Sequence, residues 1–391
     1  SKNHRIRVLM KVLHIIKIAR LGGAEVYLAK ALPEMNKRGV KVTLLAMMNT
    51  ASMKEAKPVV DIYKASGIDV IEINVESDFS WKMYRKIAEV IKAGNFDLVN
   101  AHLIHAELYM SIVKKFFLKK VKIISTKHGY DPAYQVKNGF DPVSSYTDKF
   151  FWLSRLNGLY MDRNITISRG LKKLIVALNI AKEEDVDVIH YGFNYDNVTY
   201  NSDISKFRKS PKQILILGRL EEVKGHSVAF EAMPKIIEKN PNVKLVIIGS
   251  GIIEEKLKQE VIDRKLENHV EFLGFQSEIH DFIKNSDIVL IPSFAEGFCA
   301  VVLEAYFNHV PVVCFDVPAL NEIVFNNETG IVVPKFDIQK LSESISQILN
   351  NTEFAQKLAD GGKDKLYSYF TIDRMLNETI DTYNKVLSTS K

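Results

Sequence analysis

The chain has 391 residues, 47% hydrophobic and 26% charged, which excludes a disordered protein and exceeds what one ordinary core holds. Two cysteines exclude a disulfide scaffold, and no apolar run approaches the roughly 18–20 residues of a membrane span. Net charge is +6, unevenly spread: residues 1–190 carry 31 basic against 19 acidic side chains, the remainder 22 against 28, so the first half is expected to meet something anionic, a membrane surface or nucleic acid.

The polar, basic start (1–7) does not read as a secretory leader. Cys299 and Cys314 lie in apolar surroundings and are expected to be buried, reduced thiols of a cytoplasmic protein. A continuous apolar strand, 12–18, leads into Gly22-Gly23-Ala24-Glu25 and a helix to about residue 38. Pro33 predicts a kink in that helix, and Gly39 a left-handed end. The pattern is a βαβ opening whose glycines let backbone N–H groups approach a ligand.

Strands follow at 40–46, 70–73, 97–101 and 122–126, with helices at 81–93 and 106–118. The last of these strands delivers Lys127-His128-Gly129 to its carboxyl end, where open α/β sheets collect ligands. A polar and aromatic insert, 130–147, is too long for a simple connection. Helix 149–161, strand 164–167, helix 171–178 and strand 186–189 complete this half. Residues 191–212, rich in Asn, Ser, Tyr and Lys, read as a linker.

Alternation then restarts with strand 213–217 and Gly218-Arg219-Leu220. Helices at 227–238, 254–265 and 279–285 alternate with strands at 244–248, 270–273 and 287–291. Strands 310–315 and 330–333, with helices near 320–325 and at 339–349, continue the pattern. Such repetition predicts two doubly wound parallel sheets. The tail adds helices 353–368 and 373–386, the second with Met375, Ile380, Tyr383 and Val386 at helical spacing.

The densest chemistry is at 293–304, SFAEGFCAVVLE. A strand, a turn holding Gly297, and a helix starting near Cys299 make a place for an anion. Glu296 and Glu304 bracket it, with Glu304 in the helix's second turn, and carboxylates suit sugar or ribose hydroxyls. An ordinary strand–helix junction with two solvated acids explains this stretch alone equally well. Arg219 and Lys224 aim at the same crevice, and two fixed cations beside orphan N–H groups can clamp a diphosphate without a metal. Glu221 and Glu222 beside the clamp are expected to face solvent.

GRLEEVKG at 218–225, together with EGFCAVVLE at 296–304 in Glu-x₇-Glu spacing, resembles the signature of glycosyltransferase family 4 (glycosyl transferases group 1), retaining nucleotide-sugar enzymes of the GT-B fold. Gly22-Gly23-Ala24-Glu25, Lys127-His128-Gly129, 165–168, Gly192-Phe193-Asn194 and Phe272-Leu273-Gly274-Phe275 agree in order. Residues 129–163 match nothing recognised, and His190-Tyr191 stands where a Pro-Asn pair is common, which puts the hinge contacts in doubt.

The resemblance implies an α/β protein of two Rossmann-like domains with a donor/acceptor cleft between them: 1–190 on the acceptor side, a 191–212 linker, 213–370 binding the nucleotide sugar, and a terminal helix in 371–391 returning to the first domain. It implies transfer of a hexose, with retention, from a UDP-sugar, or a GDP-sugar, to a hydroxyl of a saccharide or lipid-linked acceptor. Bacterial envelope polysaccharide or glycolipid synthesis is the expected setting. Arg219 and Lys224 should hold the diphosphate, Glu296 the sugar, and Glu304 the ribose. Gly22, Gly23 and Gly218 should approach the donor, Gly297, Phe298 and Cys299 should contact sugar and phosphate, Phe275 should border the base, and His128 should stand beside the transferred sugar. No cofactor or metal is expected, because the leaving phosphate serves as base. A nucleotide-sugar epimerase of the same fold and a non-catalytic saccharide- or membrane-binding relative are the alternatives.

Other residues have weaker readings. His102, His105 and Tyr130 are expected to line the acceptor side; with Glu107, the two histidines are also metal ligands by type or a plain surface cluster. Asp185-Val186-Asp187 matches the Asp-x-Asp string of metal-dependent glycosyltransferases of the other major fold, but precedes a strand instead of ending one. Gly249-Ser250-Gly251 resembles a dinucleotide fingerprint, but Glu254 occupies the third glycine's place, so it reads as a turn near the donor. Lys114, Lys115, Lys119 and Lys120, interleaved with apolar residues, suit either an anionic membrane surface or a solvated helix end. Peripheral attachment to the inner face of the cell membrane is the corresponding expectation. Nucleic acid is set aside because no binding module accompanies the charge.

Overall fold

The computed structural model describes residues 10–76, 79–131, 134, 137–139, 141 and 148–389. The chain forms two compact units: Ser1–Asp131 with Asp141–Tyr191 and Ile372–Lys391, and Pro132–Phe140 with Gly192–Thr371. Each is built on one parallel sheet, so the expected pair of Rossmann-like domains is present.

In the first unit, strands β1 (Met10–Lys17), β2 (Val40–Met48), β3 (Asp69–Asn74), β4 (Leu98–His102), β5 (Ile123–Lys127), β6 (Arg163–Thr166) and β7 (Val186–Val188) lie in the order β3-β2-β1-β4-β5-β6-β7. Helices α1 (Gly23–Lys37), α2 (Met53–Ala65), α3 (Trp81–Gly94), α4 (Leu103–Phe116), α5 (Lys149–Gly158) and α6 (Arg169–Ala177) connect them. The inner strands are mostly buried because helices cover parallel sheets on both faces, and among their apolar residues β1, β4 and β5 also bury His14, Asn100, His102, Ser125 and Thr126. Leu13, Ile15, Val99 and Ala101 of the sheet meet Ile87 and Ile91 of α3 and Tyr109, Met110 and Val113 of α4 in one buried cluster.

The second unit orders its strands β10-β9-β8-β11-β12-β13, from β8 (Lys212–Leu217), β9 (Val243–Ile248), β10 (Val270–Phe272), β11 (Ile288–Ile291), β12 (Val312–Phe315) and β13 (Gly330–Val333). Its helices are α7 (His226–Lys239), α8 (Glu254–Asp263), α9 (Ile279–Lys284), α10 (Val301–Phe307), α11 (Leu320–Ile323), α12 (Ile338–Asn350) and α13 (Thr352–Ser368). In both sheets the chain starts in the middle, winds outward, then returns to the other side of its first strand. The order reverses between β1 and β4 in one unit and between β8 and β11 in the other. Such switch points open a crevice at the carboxyl ends of the strands.

The terminal helix α14 (Ile372–Ser388) belongs to the first unit. Its buried face, Met375, Leu376, Thr379, Thr382, Tyr383 and Val386, follows helical spacing. Asn100 donates to the Tyr383 hydroxyl at 2.8 Å, and the Arg374 guanidinium donates to the His190 carbonyl at 2.6 Å. Gly192 and Thr371, the second unit's residues at the two crossings, touch: a Cβ on Gly192 would stand 2.1 Å from the Thr371 carbonyl oxygen.

Helix α2 is absent from the expectation for 49–68. Pro58 lies inside it and hides a regular spacing of buried Ala56, Val59, Val60 and Tyr63. Pro33 likewise lies inside α1 without ending it.

Candidate functional site

At the β8/β11 switch point three strand-to-helix turns are stitched together by their backbones. Phe294 N–H donates to the Val223 carbonyl (2.7 Å), Leu220 N–H to that of Ser250 (3.0 Å), and Gly218 N–H to that of Ile248 (3.0 Å). Glycine is required for this closeness. Gly225 has φ +71°, and a Cβ there would lie 1.9 Å from the Pro292 carbonyl oxygen; one on Gly249 would lie 1.8 Å from that of Gly218. The Gly249–Gly251 turn is thus part of the same floor.

Two acid–base pairs stand on that floor. Lys224 Nζ is 2.7 Å from Glu296 Oε1, with the lysine side chain 21% exposed and the glutamate 9%. Burial alone would lower the Lys224 pKa, but the Glu296 charge and hydrogen bond outweigh it and raise it. Arg219 Nη1 is 2.6 Å from Glu221 Oε1, and the arginine is more than half exposed. Glu221 therefore does not simply face solvent, as expected of it, but steadies the Arg219 guanidinium. Glu222 does face outward, paired with Lys256.

The turn after β11 differs from expectation. Cys299 has φ +69°, so α10 begins at Val301, and Glu304 falls in its first turn. Cys299 is half-buried, and burial and the Glu296 charge push its thiol well up, keeping it neutral. Phe298 is buried against Phe370, and Gly297 is partly exposed. Glu304 is half-buried, and its charge, after burial, helps raise the Tyr195 phenol. Phe275 is 77% exposed beside Gly274, past the end of β10. His226 escaped the sequence reading. It is buried at the start of α7 with neither ring nitrogen bonded, and burial with the Lys224 charge lowers its pKa to about 4.

At the β1/β4 switch point of the first unit, Gly22 caps α1. The Glu25 carboxylate turns back to the backbone N–H of Gly22, half of a capping box. A Cβ on Gly22 would stand 3.0 Å from Glu25 Oε2, whereas one on Gly23 would meet nothing within 4 Å.

His14, His102, His128 and Tyr191 form one line. His14 Nδ1 is 2.9 Å from His102 Nε2, His102 Nδ1 is 2.9 Å from His128 Nε2, and His128 Nδ1 is 2.5 Å from the Tyr191 hydroxyl. Both nitrogens of His128 are thus engaged, and burial holds the ring neutral, its pKa lowered to about 3.

The acceptor-side expectation for His102 needs correction. The side chain is fully buried, with both nitrogens taken by His14 and His128, so it lines no exposed surface. Glu107 is neither surface residue nor free ligand: it is buried and paired with Lys127 at 2.6 Å, and accepts from the Ser125 hydroxyl. His105 is half-buried in α4, and Tyr130 half-buried against the edge of Phe150. Asp187 is held by Arg163 and Thr382. Lys114 departs from the membrane expectation, being bound to Asp162 at 2.5 Å and only 17% exposed; Lys115, Lys119 and Lys120 are exposed. Cys314 is buried. Most of the 130–147 insert lies outside the described residues.

Residues 21–197 match the model of glycosyltransferase family 4, and residues 198–365 that of glycosyl transferases group 1. The chain belongs to this glycosyltransferase family. An uncharacterized glycosyltransferase of Methanocaldococcus jannaschii is 32% identical over 56% of this chain and 59% of its own length. The capsular polysaccharide biosynthesis glycosyltransferase CapM of Staphylococcus aureus is 27% identical over 58% of this chain and 62% of its own. The matches thus span under two thirds of either relative. Among solved structures, Anabaena Alr3699/HepE in complex with UDP and glucose superposes with a TM-score of 0.80, at 20% identity, over 96% of this chain and 100% of that one. That likeness establishes the GT-B fold of this glycosyltransferase.

Proposed function

We propose that this glycosyltransferase moves a hexose, with retention and without a metal ion, from a nucleotide diphosphate sugar to a hydroxyl acceptor. The observation that carries the reading is the convergence of Arg219, Lys224 and Glu296 on the β8/β11 switch point, where the fold opens its ligand crevice. Lys224 and Arg219 neutralise the departing diphosphate, the largest charge developed in the reaction. Glu296 then takes sugar hydroxyls, and Glu304 the ribose. Gly218, Gly297, Phe298 and Cys299 offer backbone to sugar and phosphate, and Phe275 borders the base. Gly22 and Gly23 approach the diphosphate. His128 stands beside the transferred sugar, with its backbone or, after release from Tyr191, its ring. His105 and Tyr130 serve the acceptor.

UDP is favoured as the nucleotide because the HepE structure holds UDP with glucose. CapM's capsular polysaccharide role supports an envelope saccharide or lipid-linked acceptor. A membrane-facing side is supported by exposed Trp81 and Phe116, whose rings meet edge to face at 5.1 Å, among exposed Lys82, Arg85, Lys86, Lys115, Lys119 and Lys120. Among the described residues no helix is long and apolar enough to cross a membrane; the contact proposed is peripheral, through this face.

The test is transfer from radiolabelled UDP-glucose, UDP-galactose and UDP-N-acetylglucosamine to lipid-extract acceptors, with and without EDTA. Product of retained anomeric configuration at an unchanged rate in EDTA is expected. Strict dependence on Mg²⁺ or Mn²⁺, or an isomerised sugar from donor alone, overturns the reading.

A further inference from the structure

His14 in β1, His102 at the end of β4 and His128 just past β5 lie with nearly parallel rings, successive centroids 5.2 Å apart. His14 and His102 are fully buried and His128 is half-buried, and loss of water around the rings keeps them neutral. A neutral imidazole has one N–H and one lone pair, so each N···N contact must share a single proton. Only two arrangements satisfy both contacts, with every N–H pointing toward His14 or every N–H pointing toward Tyr191.

Tyr191 decides between them. A phenol O–H is a stronger donor than an imidazole N–H, and an imidazole nitrogen a stronger acceptor than a phenol oxygen. The Tyr191 hydroxyl therefore donates to His128 Nδ1, His128 Nε2–H to His102 Nδ1, and His102 Nε2–H to His14 Nδ1. The last proton sits on His14 Nε2, which is buried with no partner. Apolar side chains of the same shape would fill this space without leaving a polar atom unpaired. A local rule broken in this way marks a functional constraint.

We propose that His14 and His102 are positioning residues that hold His128 in its Nε2–H tautomer, with the Nδ1 lone pair kept by the Tyr191 hydroxyl. The inference rests on the assignment of His128 to the transferred sugar. It adds the kind of group His128 can receive: a hydroxyl can replace Tyr191 by donating to Nδ1, whereas a phosphate oxyanion has no proton to give. His102 acts through His128 and touches no substrate.

The test begins on the unmodified full chain with ¹⁵N-labelled histidine rings. Couplings across the two N–H···N bonds, with His102 and His128 both Nε2-protonated, are expected. An Nδ1-protonated His128, or no coupling, overturns the proposal. Kinetics then separates positioning from packing. His102→Phe is expected to lower kcat by about 10- to 100-fold at unchanged donor KM, and His102→Gln, whose amide both donates and accepts, to recover part of it. Wild-type kcat in a folded His102→Phe protein overturns the positioning role. If His128→Ala transfers at the wild-type rate, the assignment of His128 to the reaction fails, while the tautomer measurement still reports on the chain itself.

Discussion

Lys224 Nζ lies 2.7 Å from Glu296 Oε1, joining the turn after β8 to the turn after β11. Without a donor the two groups satisfy each other. A diphosphate sugar offers each a better partner, an anion for the ammonium and hydroxyl donors for the carboxylate.

That pair has separable structural and chemical roles. Lys224→Met leaves Glu296 as an unpaired charge at 9% side-chain exposure, expected to destabilise by about 3 kcal/mol. Lys224→Met with Glu296→Gln restores most of that stability, read from urea midpoints. Transfer stays at least about 100-fold down in both, because the cation at the leaving group is gone. Recovery of transfer in the double variant would falsify the clamp assignment.

Two glycines distinguish fold from ligand. Gly225→Ala forces a Cβ to within 1.9 Å of the Pro292 carbonyl at φ +71°, and a lowered melting temperature is expected. Gly23→Ala meets nothing and sits at the start of α1, so melting should be unchanged or slightly higher. Donor KM should nonetheless rise, since the added methyl enters the space proposed for the diphosphate. Unchanged KM would remove Gly23 from the donor site.

The lowered pKa values of His14, His102 and His128 predict that the first unit loses stability in acid. The folded pKa values of His14 and His128, about 3, and of His102, also lowered, lie below the ordinary 6.5. The unfolded chain therefore binds more protons. Their stability contribution is full above pH 6.5 and is lost as pH falls toward the folded values, by about 1.4 kcal/mol per pH unit per histidine. Urea midpoints at pH 7.5, 6 and 5 should fall steadily, and less steeply for His14→Phe. A flat profile would show that the rings are charged or solvated.

Membrane contact has its own signature. The full chain should co-sediment with anionic vesicles and not with neutral ones. Trp81→Ala with Phe116→Ala should weaken binding at all salt concentrations, and Lys115, Lys119 and Lys120 to Ala mainly at low salt. Equal binding to neutral vesicles would leave the basic side chains without a role.

The turns of the proposed donor site were legible because their residues are close in sequence: Gly218, Arg219, Lys224 and Gly225 occupy one loop, and Glu296 through Glu304 another. Strands were legible as apolar runs, a property of parallel sheets covered on both faces. The histidine line was not. His14, His102, His128 and Tyr191 are separated by 88, 26 and 63 residues, and only the strand order β1-β4-β5 makes them neighbours. The sequence placed His102 and Glu107 at the correct strand end, but their burial depends on side-chain direction, which periodicity does not report. Cys299 carried no sign of its left-handed backbone, a conformation in which a non-glycine residue is uncommon.

The central claim is that Arg219 and Lys224 hold a nucleotide diphosphate in the second unit. Calorimetric titration of UDP and UDP-glucose into the full chain in EDTA tests it most directly. The account predicts saturable one-site binding, weakened about 10- to 100-fold in Arg219→Ala and in Lys224→Met, as loss of one charge-assisted contact implies. Equal affinity of both variants and the wild-type chain, or binding that appears only when a divalent metal is added, contradicts it.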